Sequence, residues 1–395
     1  MKIKLSFDSM LGFLFCILPV IKLDFIRSYE KLDLLYDLWG VLSVFSILVR
    51  MFMRGRKISM TSLMLGGFCA IYCVMTLVVT PSAVLGSVSQ SVRLMIVPLY
   101  IDYTKSRLET LKFIDRLSKF FFVILVADSV SVFANTTGVI QYSLMGLDNT
   151  AIFSIIPMLT VIMFNSYIRH GKINKSSMFI FLLCCMAKFR SLAVTSILSL
   201  FIMGMLLIIV FRLWNTRLKK MVNANIFFGI CIAFTVGVLF FNLQNLFVVF
   251  FGLFGKDGTM SGRTNIWSAT AKSIFRHPLL GYGQAVPGVF QSIVGLSKWA
   301  RAATHTHNFI LEIIWSTGLA GTVMYMYVLV NAVKKLRKYS DFTSAKILIC
   351  GMSGFFILMI TDSYIFQPVF VVLLCIIMSY EKIMTEKYTG LKTEV

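Results

Sequence analysis

Apolar residues fall along this chain in long runs separated by short polar segments. A bilayer core of about 30 Å needs roughly 20 apolar residues per helix, fewer where helices are short or broken. On that measure twelve runs qualify: 9–26, 34–53, 60–80, 88–102, 117–134, 150–168, 177–189, 191–213, 226–250, 308–332, 345–362 and 364–380. The seventh is short, and only the stretch carrying Lys188 and Arg190 separates it from the eighth. A single helix over 177–213 would bury those two cations near its middle, at high cost. The pattern predicts an all-α polytopic membrane protein with about 12 transmembrane helices, one membrane domain over 1–395, and a large external loop, 251–307, between helices 9 and 10. No internal repeat, low-complexity tract or soluble domain interrupts it.

Charge placement tests the count, because Lys and Arg stay on the cytoplasmic side of short loops. Basic clusters occur at Arg50 to Lys57, Lys105 to Lys119, Arg169 to Lys175, Arg212 to Lys220 and Lys334 to Lys346. The intervening loops 81–88, 135–149 and 363–368 contain no Lys or Arg, and 22–33 is charge-mixed. Both termini are therefore expected in the cytoplasm. Lys2 and Lys4 before an apolar run imitate a secretory signal, but no small-x-small cleavage site follows, so the first segment is expected to stay as a helix.

Two regions break the charge rule. The same parity puts Lys188, Arg190 and the basic 251–307 loop outside, and external cations of this kind suit an anionic ligand. Long loops also cross regardless of charge, so the loop alone does not decide the point.

Composition agrees with the pattern. Of 395 residues 58% are hydrophobic and only 14% charged, and mean hydropathy is +0.83. The net charge of +21, from 38 Lys and Arg against 17 Asp and Glu, would suggest nucleic acid in a soluble protein. Its placement beside apolar runs points to the bilayer instead, and no nucleic-acid partner is expected. The eight cysteines sit in apolar runs without CxxC spacing and read as packing residues.

Candidate chemistry concentrates between Ser261 and Gly321, which holds three of the four histidines (His277, His305, His307) and three of the five tryptophans. Thr259 or Ser261 can cap a short helix in which Ile266, Thr270 and Ile274 share a face, ending at His277-Pro278, with Lys272 and Arg276 projecting together. A lone Gly281-Tyr282-Gly283 is weak support for a phosphate cradle and reads more simply as a turn. His307 precedes the tenth apolar run, where a helix N-terminus favours neutral imidazole and attracts phosphate oxygens. A metal site is disfavoured, because His-x-His projects in different directions on a helix and no third ligand has helical spacing. No cofactor is expected.

These residues resemble the bacterial O-antigen ligase and polymerase family, whose signature is similar to GRxxIWxxA…HPLxGxG…HNxxLE…GLxG. The chain shows Gly262-Arg263, Ile266-Trp267, Ala269, His277-Pro278-Leu279, Gly281-Tyr-Gly283, His307-Asn308, Leu311-Glu312 and Gly318-Leu-Ala-Gly321. Upstream, Lys188-Phe189-Arg190-Ser191-Leu192-Ala193-Val194 resembles a family Ser-Arg segment, with Phe189 in place of Ser and Val194 where ligases tend to have Leu. The resemblance covers about 185–325.

It implies metal-independent glycosyl transfer from an undecaprenyl-pyrophosphate-linked oligosaccharide at the outer face of the membrane. A polymerase of O-antigen or capsular repeats is the first reading, and a ligase moving finished glycan to a lipid or other acceptor the second. A flippase or transporter would want midplane ionisable residues and internal symmetry. Without a metal, cations must hold the leaving pyrophosphate and a base must take the acceptor proton. Arg190, Arg263, Arg276 and Lys188 are the expected pyrophosphate grip and His307 the base. His277, His305, Asn308 and Glu312 complete the expected substrate contacts; Glu312 orients His307, pairs with an arginine, or is an interfacial salt bridge. Gly318 and Gly321 are expected to permit helix packing. Arg93 and Asp128 lie within spans and should be paired, as a structural ion pair or as a wall of the carrier site. A chain-length regulator protein is a further candidate partner.

The charge alternation predicts that reporter fusions at Lys57, Lys119 and Lys338 read as cytoplasmic and fusions near Gly86 and Gly258 as external. An internal Gly258 would put the motif loop on the wrong side for an externally delivered glycan.

Overall fold

A computed structural model describes residues 10–135, 142–191, 194–212, 216–241, 263–295, 303–363 and 365–389. Its helices are α1 (Met10–Ile17), α2 (Asp24–Arg27), α3 (Glu30–Met53), α4 (Met60–Val79), α5 (Val84–Tyr103), α6 (Arg107–Ala134), α7 (Asp148–His170), α8 (Lys175–Arg190), α9 (Val194–Phe211), α10 (Thr216–Met221), α11 (Ala224–Phe241), α12 (Arg263–Ile274), α13 (Val289–Val294), α14 (Phe309–Lys338), α15 (Thr343–Thr361), α16 (Pro368–Met378) and α17 (Tyr380–Thr389). A two-residue hairpin, Tyr142–Ser143 with Gly146–Leu147, precedes α7.

Among the described residues each of the twelve apolar runs meets at least one helix. Eight helices are long and apolar enough to cross a membrane, and Met10–Val20, Ala224–Gly237 and Pro368–Met378 are shorter apolar helices among the described residues. The seventh run is its own helix: α8 ends at Arg190 and α9 starts at Val194, so neither cation is placed mid-span. Sequence chemistry explains the starts. Ser59, Ser106 and Asn174 cap α4, α6 and α8 by accepting from the backbone N–H three residues on, and Glu109 closes a capping box with Ser106.

The outer faces are apolar. On α3 alone Leu34, Leu35, Leu38, Leu42, Phe45 and Phe52 stand exposed, a surface that water would not tolerate and acyl chains satisfy. The chain is a multi-pass membrane protein. At its centre α16 is buried from Pro368 through Ile377 and packs on α5, α7 and α14. At 11 residues it rises only about 16 Å, so it is held by protein rather than matched to the bilayer.

A second, smaller core lies apart from the helix bundle. Trp267 of α12, Tyr282, Phe290 of α13, and Leu311 and Trp315 of α14 bury one another, with Tyr282 stacked on Trp315 at 5.2 Å and Phe290 edge-on to it at 5.1 Å. The helix expected to end at His277 is α12, in which Ile266 and Thr270 are buried together. Its cap, expected at Thr259 or Ser261, lies outside the described residues.

The glycines of the motif have one shared function. At Gly318 α14 breaks, with φ +58° and ψ −163°, a backbone region essentially closed to other residues. The loop Pro278 to Gly283 enters that break. Leu319 and Ala320 N–H donate to the Pro278 and Leu279 carbonyls (2.8 and 3.0 Å), and Tyr282 and Gly283 N–H donate to the Trp315 and Ser316 carbonyls (2.9 and 2.8 Å). The turn at Gly281 and Gly283 is therefore a plug for a broken helix, its backbone amides spent on protein carbonyls. A Cβ on Gly318 would be driven into Leu279, one on Gly281 into the Trp315 carbonyl, and one on Gly283 into Thr76 of α4. Gln284 N–H then donates to Thr76 Oγ1 at 2.8 Å, fastening the same loop to α4.

Gly318→Ala is expected to lower stability by at least about 1–3 kcal/mol, the cost of a forbidden backbone region before any steric clash. Gly55 also has positive φ (+59°) but no atom within 4 Å of an added Cβ, so Gly55→Ala should cost less. Thermal unfolding of both variants in detergent checks the order, and an equal or reversed ranking would contradict the interlock.

Candidate active site

The plugged loop fixes the N-terminus of α14, and the histidines sit just before it. Asn308 is the cap: its Oδ1 accepts from Ile310 and Leu311 N–H, and its Nδ2 donates to Thr235 Oγ1 of α11 and the Ile360 carbonyl of α15. Asn308 is fully buried, with both ends of its amide spent on protein. Glu312, one turn later, accepts from Thr306 N–H at 2.9 Å and so latches the incoming strand onto the helix. Neither an arginine nor His307 is its hydrogen-bond partner here; a backbone amide is.

Because the cap is Asn308, His305 and His307 are not helical. His307 has φ +52°, the sole positive φ of a non-glycine among the described residues, a conformation that costs energy and tends to mark functional positions. It turns the two imidazoles to one side, ring centroids 3.9 Å apart. The sequence argument that His-x-His must diverge assumed a helix and fails for that reason.

A third group joins them from far along the chain. Asp362 ends α15, and its Oδ1 lies 3.0 Å from His305 Nε2 and 3.3 Å from His307 Nδ1, while accepting from Ser363 N–H at 2.8 Å. Sequence reasoning missed it. Its only signal was an acid at the end of a span, in a chain with few acids, and nothing in the linear order links position 362 to 305. Arg263, first residue of α12, stands within electrostatic reach of all three.

The environment separates the two histidines. Burial pulls His305 down, but its hydrogen bond to Asp362 and the nearby carboxylates of Glu312 and Asp362 outweigh this, so its pKa is raised. Burial also lowers His307, the positive His305 and Arg263 add to that, and Asp362 offsets only part, so it stays below the ordinary value. Burial pushes the Asp362 carboxyl up, yet the hydrogen bonds from both histidines reverse this and hold it well below the usual carboxylate range. A pair of neighbours driven apart in this way is suited to hold one as an acid and the other as a base.

His305 and Glu312 also line a cavity of about 780 Å³. Its other walls carry Lys22, Arg27, Asp33 and Asp37 from the first third of the chain, Arg93 of α5, and amides and hydroxyls including Gln90, Gln284 and Gln367. Lys22 bridges Asp33 and Asp37 at 2.6 and 2.8 Å, and Arg93 Nε donates to the Ser89 carbonyl. Arg93 thus stands in a cavity wall among charged neighbours. Asp128 lies elsewhere, buried, and accepts from Met145 N–H at 2.9 Å.

The remaining expected residues are dispersed. Lys188 is completely buried in α8, and Arg190, exposed at its end, donates to the Asn135 carbonyl at 3.2 Å. Neither lines the cavity. Arg276 and Lys272 do project together, into a separate groove of about 300 Å³ with Asn265 and Ser268. His277 is exposed and packs edge-on against Tyr282 at 4.9 Å.

Residues 176–326 match the model of a family described as O-antigen ligase. The match supports membership of the O-antigen ligase and polymerase family. A segment of 87 residues is 34% identical to the exopolysaccharide production protein ExoQ of Rhizobium meliloti (strain 1021), covering 20% of this chain and 20% of that protein. The family segment contains Lys188, Arg190, Arg263, both site histidines and the glycine interlock. Asp362 and the Lys22, Arg27 and Arg93 wall lie outside it.

Asp362 acts on both histidines in the raising direction, so its contribution to stability is fully present below their unfolded pKa of about 6.5 and shrinks as pH rises through the raised value of His305. The gap in thermal stability between wild type and Asp362→Asn should be roughly 1.5–3 kcal/mol at pH 6, the worth of charge-assisted hydrogen bonds, and narrower at pH 9. A gap that widens with pH would show that the carboxylate does not hold a protonated histidine.

Proposed function

We propose that this protein is a glycosyltransferase of bacterial surface-polysaccharide assembly, acting at the outer face of the cytoplasmic membrane. The donor is an undecaprenyl-pyrophosphate-linked oligosaccharide and the acceptor a sugar hydroxyl. The observation that carries this reading is the partly buried His305, His307 and Asp362 cluster, with Arg263 beside it, at the edge of a polar cavity inside a membrane protein.

The acceptor oxygen attacks the anomeric carbon, the bond from that carbon to the phosphate oxygen breaks, and the lipid pyrophosphate leaves with the electron pair. Asp362, holding Nδ1–H of His307, leaves Nε2 as the basic atom that takes the acceptor proton. Asp362 is thus a positioning residue. Arg263 and protonated His305 supply positive charge for the leaving pyrophosphate, where a guanidinium can grip two oxygens at once. Arg190, exposed at the end of α8 and outside the cavity lining, would serve as a second cation only for a pyrophosphate that extends beyond the cavity. The cavity, lined by amides, hydroxyls and paired charges, suits a glycan rather than an acyl chain.

Polymerization of O-antigen or capsular repeats is the reading we favour, and a chain-length regulator would be its partner. The name of the matched relative, exopolysaccharide production, fits polymer growth; the family description, O-antigen ligase, fits transfer to a lipid or other acceptor. Both use the same donor chemistry.

In purified protein supplied with lipid-pyrophosphate oligosaccharide, His307→Ala should slow transfer by about 10²–10⁴-fold, the usual worth of a general base, with donor affinity nearly intact. Arg263→Lys and Arg190→Lys should each weaken donor binding, because a point charge cannot replace the planar fork. Product length on a gel and donor titration read both. Wild-type rates from His307→Ala would remove the base, and full activity in both arginine variants would remove the grip.

A further inference from the structure

The same three groups satisfy a second chemistry. His305, His307 and Asp362 each offer one ligand atom, and these atoms all lie within 4.8 Å of one another. A tetrahedral zinc-class ion with bonds of about 2.0–2.1 Å holds its ligand atoms roughly 3.3 Å apart. Asp362 Oδ1 stands 3.0 Å from His305 Nε2 and 3.3 Å from His307 Nδ1, so two of the three edges already have that length. The outer shell is also in place. His305 Nδ1 faces Thr304 Oγ1 at 2.9 Å, which fixes the ring with Nε2 toward the centre, and Ser363 N–H orients the carboxylate.

Two imidazoles and one carboxylate, with no thiolate, select zinc-like ions over calcium or magnesium, which want more oxygen ligands. The centre borders open space: both histidine side chains keep about a fifth of their surface, 22% and 23%, leaving room for entry and a fourth ligand.

We propose that His305, His307 and Asp362 form an inhibitory binding site for a zinc-class divalent cation. Binding puts the ion on His307 Nδ1 in place of the proton that Asp362 otherwise holds. Neutral imidazole then carries its one remaining proton on Nε2, so the atom that must accept the acceptor's proton no longer has a lone pair. The displaced protons pass to solvent, and no bond other than N–H and metal–ligand bonds changes. The ion also replaces the positive charge of His305 with its own at a position that ties up both rings. The inhibitory part rests on the transferase reading; the binding part does not.

The test has two arms on the full-length protein in detergent. Calorimetric titration with Zn²⁺ should show one saturable ion per chain, and Co²⁺ should give the intense visible absorption of a tetrahedral site. His305→Gln, His307→Gln and Asp362→Asn should each weaken binding by at least about tenfold, since even outer-shell losses cost 10–100-fold. Absence of stoichiometric Zn²⁺ binding in the wild type overturns the site whatever the variants do, as does binding that none of the three substitutions weakens. In the second arm, transfer of glycan should fall as Zn²⁺ saturates the site and return on adding EDTA. Transfer lost to EDTA and restored by Zn²⁺, or unaffected at saturation, overturns inhibition. A protein that binds the ion and transfers no glycan under any condition would leave the site standing and sink the function proposed above.

Discussion

The structure depends on a helix that is broken and repaired by another part of the chain. A break inside α14 strands backbone carbonyls and amides in a buried place, and each left unpaired would cost about 1–3 kcal/mol. The Pro278 to Gly283 loop meets four of them and is itself pinned to α4 through Thr76. The loop that carries the chemistry is therefore not hung from the bundle by its ends. It is bonded into the bundle at its middle, and Trp315, one turn before the break, becomes the floor of the small core that holds α12 and α13. This is how Arg263, at the start of α12, comes to a defined distance from histidines forty residues on.

That rigidity lets a strained centre persist. His307 in a left-handed conformation, two close imidazoles tilted against one another and a mostly buried carboxylate would each relax if the segment could move. The Asn308 cap reaches α11 and α15, and Glu312 holds Thr306, so the chain on either side of His307 is tied to three helices. The electrostatic asymmetry follows from placement. Burial disfavours the charged form of both rings; at His305 Asp362 and Glu312 outweigh it, whereas at His307 His305 and Arg263 add to it and Asp362 offsets only part.

Much of the architecture was legible from residues alone. Twelve apolar runs located twelve helices because bilayer length and apolarity constrain a sequence more tightly than soluble folding does. Lys188 and Arg190 marked the break between α8 and α9 for the same reason. The spacing of Ile266, Thr270 and Ile274 found α12. What escaped was whatever depends on one segment meeting another. Asp362 is silent in sequence because its partners are 55 and 57 residues away, and the first third of the chain, which walls the cavity with Lys22, Arg27 and Asp37, carries no motif at all. Gly281 and Gly283 read in sequence as a turn rather than a phosphate cradle, and a turn they are; what the residues could not show is that its amides are engaged by α14.

The motif His-Asn-x-x-Leu-Glu can now be taken apart by function. Asn308 caps and cross-links, Leu311 fills the small core, and Glu312 latches the preceding strand while also lining the cavity, so each of the three has an architectural part to play. The glycines of Gly281 to Gly283 and Gly318 are architectural too. A resemblance carried by such residues transmits a frame, with its backbone break, its plug and the placement of one imidazole, and it does so regardless of which sugar is bound. Gln284, His305 and Glu312 line the cavity from within the family segment, but its charged walls of Arg27, Asp33, Asp37 and Arg93, with Gln367, belong to elements outside it. On the proposed reading, recognition of a particular glycan would be largely separable from the frame, so that the cavity walls could change without disturbing the interlock.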